Sequence, residues 1–437
     1  MPVTDVTVAA TAVRFRTVRL DHPFVISGRP IDAFTVAEVD ATVTGAGGRP
    51  VTGTGATVLS VPWAWPESTL DPAGRDAVLR ALTEELAAAA VGLGPADPVE
   101  LWRHLEAGLA ARLRARAGRP TVPRLAGHLA LGAVDNAVHD AWSRAAGLPA
   151  TAMYGPDHLA RDLGWLDPSL AGHLPGAHLL GPASHLPVQH VVGLGDPLTD
   201  DDARESGARS LTAWLAAERI RSLKVKVAGA DPADDARRVA AVHAAAASAV
   251  GPVEISLDPN EGYADLGAAL EMLDALASDA PEAAAALTYL EQPVPRHAEP
   301  DPAAVRRLTA RVPALLDEAF TDVAALPAVR EQGWSGVVVK AAKGQTPALL
   351  AHTYAQVNGL AVTVQDLTAV GLALAHSARL AASLRRTWDH LEYNSRQYAP
   401  AANADLAARA PDLVAVGDGR IRPPHAPVPG LYQLEHA

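Results

Sequence analysis

Ser222-Leu-Lys-Val-Lys-Val227 and, some thirty residues on, Val253-Glu-Ile-Ser-Leu-Asp258 decide how this chain is read. Each is a short apolar run that closes on charge, and an Ala-rich helical stretch separates them. The pattern continues in LTYLE (287–291), ALLDE (314–318), GVVVK (336–340), LAVTVQD (360–366) and WDHLEYN (388–394), and LPVQHVVG (186–193) precedes it. Eight runs alternating with helices predict an α/β fold with a parallel (β/α)8-type barrel, a modified TIM barrel. Lys224/Lys226, Asp258, Glu291, Asp317 and Lys340 recur at intervals of 23 to 34 residues. One β/α unit needs about 30 residues, so these charges fall at the same end of successive strands. That end is the C-terminal face, where barrel enzymes place their chemistry.

Upstream, residues 1–60 alternate apolar and polar positions, as in AFTVAEVDATVTG (33–45), and predict antiparallel strands. Three helical patterns follow at 75–91, 98–116 and 126–146, with Asp97 before Pro98 as a start signal and Gly147 and Pro149 as a stop. The expected organisation is an N-terminal α+β capping domain over 1–155 and a Gly-, Pro- and His-rich linker or inserted loop over 156–186. The barrel takes 187–400, and a C-terminal segment over 401–437 packs back on the capping domain.

The net charge of −12 argues against nucleic acid or an anionic membrane surface as a partner. With no cysteine there is no disulfide, thiolate nucleophile or Cys-ligated zinc. No stretch of about 18 uncharged apolar residues is present, and the start of the chain has an early Asp5 and no basic, apolar leader pattern. A cytoplasmic protein is expected. Of the 37 Lys and Arg residues only four are lysine: Lys224, Lys226, Lys340 and Lys343. Arg solvates a surface as well as Lys but does not give up its proton. Lysines reserved for strand ends therefore point to a need for an amine that titrates. Lys343, three residues past its strand, is expected at the surface or in a supporting position.

Asp258, Glu291 and Asp317 lie on consecutive strands, so their carboxylates should converge. Converging carboxylates repel and shift toward the neutral form unless a cation joins them. All-oxygen ligation suits Mg²⁺, with Mn²⁺ as the alternative. Asn260, in the same loop as Glu261, and Gln292 are candidates to support the ligands. Strand periodicity places Lys224 and Lys226 on one face, and Lys340 falls across the ring. A desolvated lysine beside a divalent cation can act as a general base near neutral pH.

The KVK of strand two, Asp258-Pro-Asn260, Glu291-Gln-Pro, Asp317-Glu318 and Lys340 together resemble the enolase superfamily, in its muconate-lactonizing-enzyme-like subgroup (the mandelate racemase/muconate lactonizing enzyme family). GAVDNAVHDAWSRAAGLP (132–149) is similar to the helix that joins capping domain to barrel in that family. The resemblance implies Asp258, Glu291 and Asp317 as metal ligands, Lys226 and Lys340 as an acid/base pair, Lys224 as stabiliser of the substrate carboxylate and its enediolate, and Glu318 as a supporting residue. It implies a Mg-dependent racemase or epimerase that abstracts the α-proton of a small-molecule carboxylate to a metal-stabilised enediolate. A syn-dehydratase or cycloisomerase (a lyase) uses the same intermediate, and a non-catalytic, metal-stabilised binding module is the third reading. Relatives commonly associate, so a homo-oligomer is among the expectations.

The seventh strand ends in Gln365-Asp366 where mandelate-racemase-like members carry His, which favours acid/base work by lysine alone. The eighth offers Asp389 and Glu392 in place of the Asp-x-Asp of dipeptide epimerases. Asp366 and Glu392 are counted as supporting or substrate-binding candidates. Two cap loops, HPFVISGRP (22–30) and LSVPWAWPES (59–68), are expected to close the barrel mouth. Trp63 and Trp65 are placed to line an apolar pocket there, and Arg29 to meet a second carboxylate on the substrate.

Overall fold

Alternating runs at the start of the chain pair as a three-stranded antiparallel sheet: β1 (Thr7–Ile26), β2 (Arg29–Thr44) and β3 (Pro50–Leu59), with β2 in the middle. This is a computed structural model, and it describes residues 4–26, 29–115, 121–206 and 208–434. Ser27 and Gly28 of the first cap loop, and residue 116 of the second helical pattern, lie outside the described residues. Three helices follow: α1 (Pro72–Ala90), α2 (Pro98–Ala115) and α3 (Arg124–Ala146). Asp71 accepts a hydrogen bond from Gly74 N at 2.7 Å ahead of Pro72, and Gly147 ends α3 in the left-handed conformation, so the start and stop chemistry is local.

The barrel strands are β4 (Leu186–Val192), β5 (Ser222–Lys226), β6 (Glu254–Asp258), β7 (Leu287–Glu291), β8 (Ala314–Leu316), β9 (Gly336–Lys340), β10 (Ala361–Gln365) and β11 (Leu391–Glu392). They pair in chain order, all parallel, and β11 returns to β4, so eight strands close the ring. A final strand, β12 (Arg420–Ile421), lies antiparallel on the start of β4. Six of the intervening helices matter for the site: α4 (Leu211–Glu218), α5 (Pro232–Val250), α6 (Leu266–Asp279), α7 (Pro302–Thr309), α8 (Leu326–Gln332) and α9 (Gln345–Asn358), with α10 (Leu372–Ser383) after β10. Asp231-Pro232 and Asp301-Pro302 begin α5 and α7 with a side-chain cap followed by a proline that needs no N–H partner.

Helix α3 is the axle between cap and barrel. It is buried on every face from Leu125 to Ser143, and glycines let it approach its neighbours' backbones. A Cβ on Gly55 of β3 would sit 2.0 Å from Ala133 O, and one on Gly132 would sit 2.4 Å from Ala342 O, just past β9. The polar groups of α3 are used as well. Asp135 Oδ2 accepts from Thr346 N at 2.7 Å and Asn136 Oδ1 from Gln345 N at 2.9 Å, so the cap domain satisfies the first turn of α9. Asp140 accepts from Thr54 N and Leu431 N, and Tyr432 Oη donates to Thr54 O, joining the C-terminal segment to the cap sheet.

The 156–186 stretch is folded into 3₁₀ turns at Leu163–Trp165, Pro168–Leu170 and Pro175–His178. It runs along the far ends of α9 and α10, with Asn358 Nδ2 donating to Ser169 Oγ at 3.0 Å and Leu180 N to Ser383 O at 2.8 Å. Those are the ends away from the strand C-termini, so it does not reshape the barrel mouth. No helix among the described residues is long and apolar enough to cross a membrane.

Six histidines are buried: His128, His139, His190, His352, His376 and His390. Burial holds His128 and His352 down at about 4 and His139, His376 and His390 at about 3. Each folded value lies below the unfolded one, near 6.5. Each ring therefore supports the fold above that pH and withdraws support as pH falls toward 4 and then 3. At pH 5, ¹⁵N spectra of histidine-labelled folded protein should show these five rings neutral; a protonated ring at any of them in the folded state contradicts the assignment.

Candidate active site

The strand ends bring the charges together because β5 to β11 present them in register. Lys224 lies opposite Ser256 and Lys226 opposite Asp258 across β5–β6, and Gln365 opposite Lys340 across β9–β10. Strand periodicity turns Lys224 and Lys226 inward together. β5 and β9 stand four strands apart in a ring of eight, so Lys226 and Lys340 face each other across it.

Lys224 is the hub. Its ammonium donates to Glu291 Oε1 at 2.8 Å, Glu392 Oε2 at 2.9 Å and Gln365 Oε1 at 2.9 Å, and stands 2.9 Å from Asp258 Oδ2. Lys226 Nζ donates to Asp258 Oδ2 at 2.5 Å and Asn260 Oδ1 at 2.7 Å. Lys340 Nζ stands 3.2 Å from Asp317 Oδ2 and donates to Gln365 Oε1 at 3.1 Å. Gln365 Nε2 in turn donates to Glu291 Oε2. Asp258, Glu291 and Asp317 are wholly buried. Burial opposes charge on Lys224, but Asp258, Glu291 and Glu392 hold its ammonium well above the usual range. Burial likewise works against the Asp258 carboxylate, and Lys224 and Lys226 hold it below its ordinary range. Burial pushes Glu291 up to about 7; Lys224 pulls it back, while Asp258 and Asp317 add to the rise.

The other sequence candidates fall into place around this hub. Gln292 Oε1 accepts from Asp317 N and Ala319 N while its Nε2 donates to Val294 O, so it ties the ends of β7 and β8 together. Glu318 is buried, with Oε1 accepting from Asn260 Nδ2 at 3.1 Å. Asp366 and Glu392 line the inner chamber with Thr368, Asn394, Phe24 and Trp63. Asn260, Glu261, Gln292 and Thr368 all hold positive φ, a cluster of backbone strain at this face. A cleft of about 500 Å³ opens outward between Arg29, Trp65 and Glu67 of the cap and Glu261 and Arg296 of the barrel. Lys226 and Asn260 border both spaces, so the cleft leads to Lys226.

Two expectations need correction and two are narrowed. Trp63 does not line an apolar pocket: its Nε1 donates to Asp317 Oδ2 at 3.0 Å and its chamber is walled by charge. Arg29 is exposed and donates to Pro66 O; it lines the outer cleft and not the buried chamber. Of the two places expected for Lys343, the supporting one holds: it is buried, its Nζ donates to Phe320 O at 2.7 Å, and burial brings it down to about 8. The three carboxylates do not surround a common point either, and among the described residues no three acidic or histidine side chains stand ready to grip an ion. The Lys224 ammonium bridges two of them instead. Gln365, Arg296 and Asn394 were not singled out; Gln365 alone carried a signal, since it ends β10 as the charged residues end their strands.

The donor set nevertheless fits a hard divalent cation. It is all oxygen, it already binds a positive charge in the form of the Lys224 ammonium, and Asp317 Oδ1 is buried with no hydrogen-bond partner. Mg²⁺ held by Asp258, Glu291 and Asp317 would require Lys224 to draw back from the first two.

A family model described as "Enolase C-terminal domain-like" matches residues 207–431. No curated protein matches by sequence. Among solved structures, the chain is similar to a dipeptide epimerase from Enterococcus faecalis complexed with Mg and the dipeptide L-Leu-L-Tyr: 17% identity, 98% of this chain and 100% of that one, TM-score 0.65. It is similar to an N-succinyl Arg/Lys racemase from Bacillus cereus at 18% identity, over 98% and 95% of the two chains, TM-score 0.66. It is similar, too, to a muconate lactonizing enzyme from Pseudomonas fluorescens complexed with muconolactone, at 17% identity over 98% and 96%, TM-score 0.63. At these identities the likeness shows the fold.

Removing Lys224 leaves Asp258, Glu291 and Glu392 facing one another without their shared cation. Breaking a buried ion pair from one side costs about 3–5 kcal/mol. Lys224→Met should therefore melt well below the parent protein in a chelator, and Mg²⁺ should raise its melting temperature more than the parent's. Equal melting of the two proteins in chelator contradicts the hub assignment.

Proposed function

The chain belongs to the enolase superfamily, in its mandelate racemase/muconate lactonizing enzyme branch, and from that premise we propose that it is a Mg²⁺-dependent racemase or epimerase acting at the α-carbon of a small-molecule carboxylate. The observation that carries this reading is the pair of buried amines, Lys226 and Lys340, on opposite strands of the ring and bordering one chamber. Two bases on two faces allow a proton to leave from one side and return on the other, which inverts the centre.

Asp258, Glu291 and Asp317 would hold the cation, which would supply the positive charge that makes an α-proton beside a carboxylate acidic enough to remove. The substrate enters by the outer cleft and places its α-carbon between the amines. Lys226, as a neutral amine, takes the α-proton from one enantiomer; Lys340, as an ammonium, returns a proton to the opposite face. For the other enantiomer the roles exchange. Lys224, as an ammonium, neutralises the second negative charge that develops on the substrate carboxylate as the enediolate forms. Asn260 and Gln365 keep Lys226 and Lys340 aimed by single hydrogen bonds that each lysine can break. Trp63 and Phe24, both buried and lining the chamber, limit water there, so protonation is left to the lysines.

The chamber also favours one kind of substrate. Asp366 Oδ2 is buried without a hydrogen-bond partner, and Glu392 stands close enough to raise the Asp366 carboxyl further once burial has done so. This acidic wall, in the chamber that Trp63 also lines, suits a carboxylate that carries a cationic nitrogen near its reacting carbon. Asp389 takes no part: it is exposed and paired with Arg386.

In D₂O with Mg²⁺, a panel of chiral carboxylates with and without an amino group should show α-hydrogen exchange with racemisation, strongest among the amino-bearing members. Lys226→Ala should lose exchange from one enantiomer and Lys340→Ala from the other, each by about 10²–10⁴-fold, the range for one general acid/base. An unsaturated or ring-changed product in place of exchange would assign the chain to the lyases. No exchange on any carboxylate would sink the enzymatic reading altogether.

A further inference from the structure

Asp258 and Glu291 are oriented wholly by barrel residues: Lys224, Lys226, Asn260 and Gln365. Asp317 is different, because a residue of the cap holds it. Trp63 lies in the short helical turn Val61–Ala64, just after β3, and its indole Nε1 donates to Asp317 Oδ2 at 3.0 Å. Lys340 Nζ, 3.2 Å from the same oxygen, lies 5.3 Å from the centre of the Trp63 ring system. The indole N–H and the Lys340 ammonium therefore both act on Oδ2, and the other oxygen, Oδ1, is left buried without a hydrogen-bond partner.

The indole is not free to wander. Arg296 Nη2 donates to Trp63 O at 3.0 Å, and Glu261 holds that arginine through its Nε and Nη2 groups. Lys343 Nζ stands 5.6 Å from the Trp63 ring and 4.5 Å from the Phe320 ring, anchored by its bond to Phe320 O. Two barrel ammonium groups thus face one cap indole, within the range of cation–π attraction, and the side chain is nearly inaccessible at 3% exposure. This accounts for the fourth lysine, which has no place in the acid/base chemistry: it braces the ring that orients Asp317.

We propose that Trp63 is a positioning residue for the divalent cation: its indole N–H fixes the Asp317 carboxylate so that Oδ1 is presented as a ligand, which makes cation affinity depend on the docked cap loop. The inference rests on the reading of Asp317 as a ligand. A hydrogen-bond donor behind a metal ligand restricts the ligand's rotation, and losing such a partner weakens metal binding by about 10–100-fold. Trp63→Phe keeps a ring for the two lysines and removes only the donor. Binding of Mg²⁺ alone, measured by calorimetry without substrate, should then weaken by about 10–100-fold, with circular dichroism and melting in chelator close to the parent's.

A second measurement uses the unaltered protein, in case the variant folds poorly. With ¹⁵N-indole-labelled tryptophan the chain gives eight indole signals, and Mg²⁺ should move the one that Trp63→Phe deletes or, if that variant fails to fold, a strongly downfield one with the exchange protection of a buried, carboxylate-bound N–H. If the parent binds Mg²⁺ but a folded Trp63→Phe binds it equally well, or if no buried indole signal moves, the positioning role is wrong while the ligand assignment stands. If the parent binds no divalent cation at all, both fall together.

Discussion

Everything at the barrel mouth follows from the need to bury charge. Asp258, Glu291, Asp317, Glu318, Asp366 and Glu392 are carboxylates with 5% exposure or less, and Lys224, Lys226 and Lys340 are the amines buried among them. An isolated ion in such a place would cost many kcal/mol, so each must find a partner or become neutral. The Lys224 ammonium supplies the main compensation, touching carboxylates from three strands and the Gln365 amide from a fourth. None of those strands could hold its charge alone; closure of the ring brings them within reach. Carboxylates outnumber amines there by two to one, and that imbalance is a physical reason for the site to take a further positive charge.

The cap completes what the barrel begins. Helix α3 seals against β3 and against the backbone just past β9 because Gly55 and Gly132 leave no Cβ in the way. Its Asp135 and Asn136 satisfy the first N–H groups of α9, the helix that follows the Lys340 strand. The loop carrying Trp63 and Trp65 is thereby set over the strand ends, where it meets Arg296 and Asp317. Asn260, Glu261, Gln292 and Thr368, in the barrel loops at this face, all hold positive φ.

The strands, their order and the charged residues at their ends were legible in the sequence because strand ends recur at the spacing of one β/α unit and the charges interrupt apolar runs. Gln365 was missed for a chemical reason: an uncharged amide at a strand end looks like any polar cap, yet here it bonds both Lys224 and Lys340 and donates to Glu291. For Lys343 the sequence left surface and supporting positions open, because position after a strand says nothing about what packs over it, and Phe320 and Trp63 come from two other parts of the chain. Arg296 carried no signal, since its role depends on a cap carbonyl more than 200 residues away in sequence. The 156–186 stretch, lacking periodicity, gave no clue to the side of the barrel it follows.

By itself the sequence determined the fold class, the ring of charged strand ends and the kind of chemistry such a ring supports, because local periodicity and residue type are properties of the chain. Only the tertiary structure decided which oxygen each amine holds, that Lys224 stands between Asp258 and Glu291, and that a cap tryptophan reaches Asp317. Those are distances of 2.5 to 3.0 Å between residues from 32 to 254 positions apart. Strand spacing can align such groups at one end of a barrel, but cannot say which of them will meet.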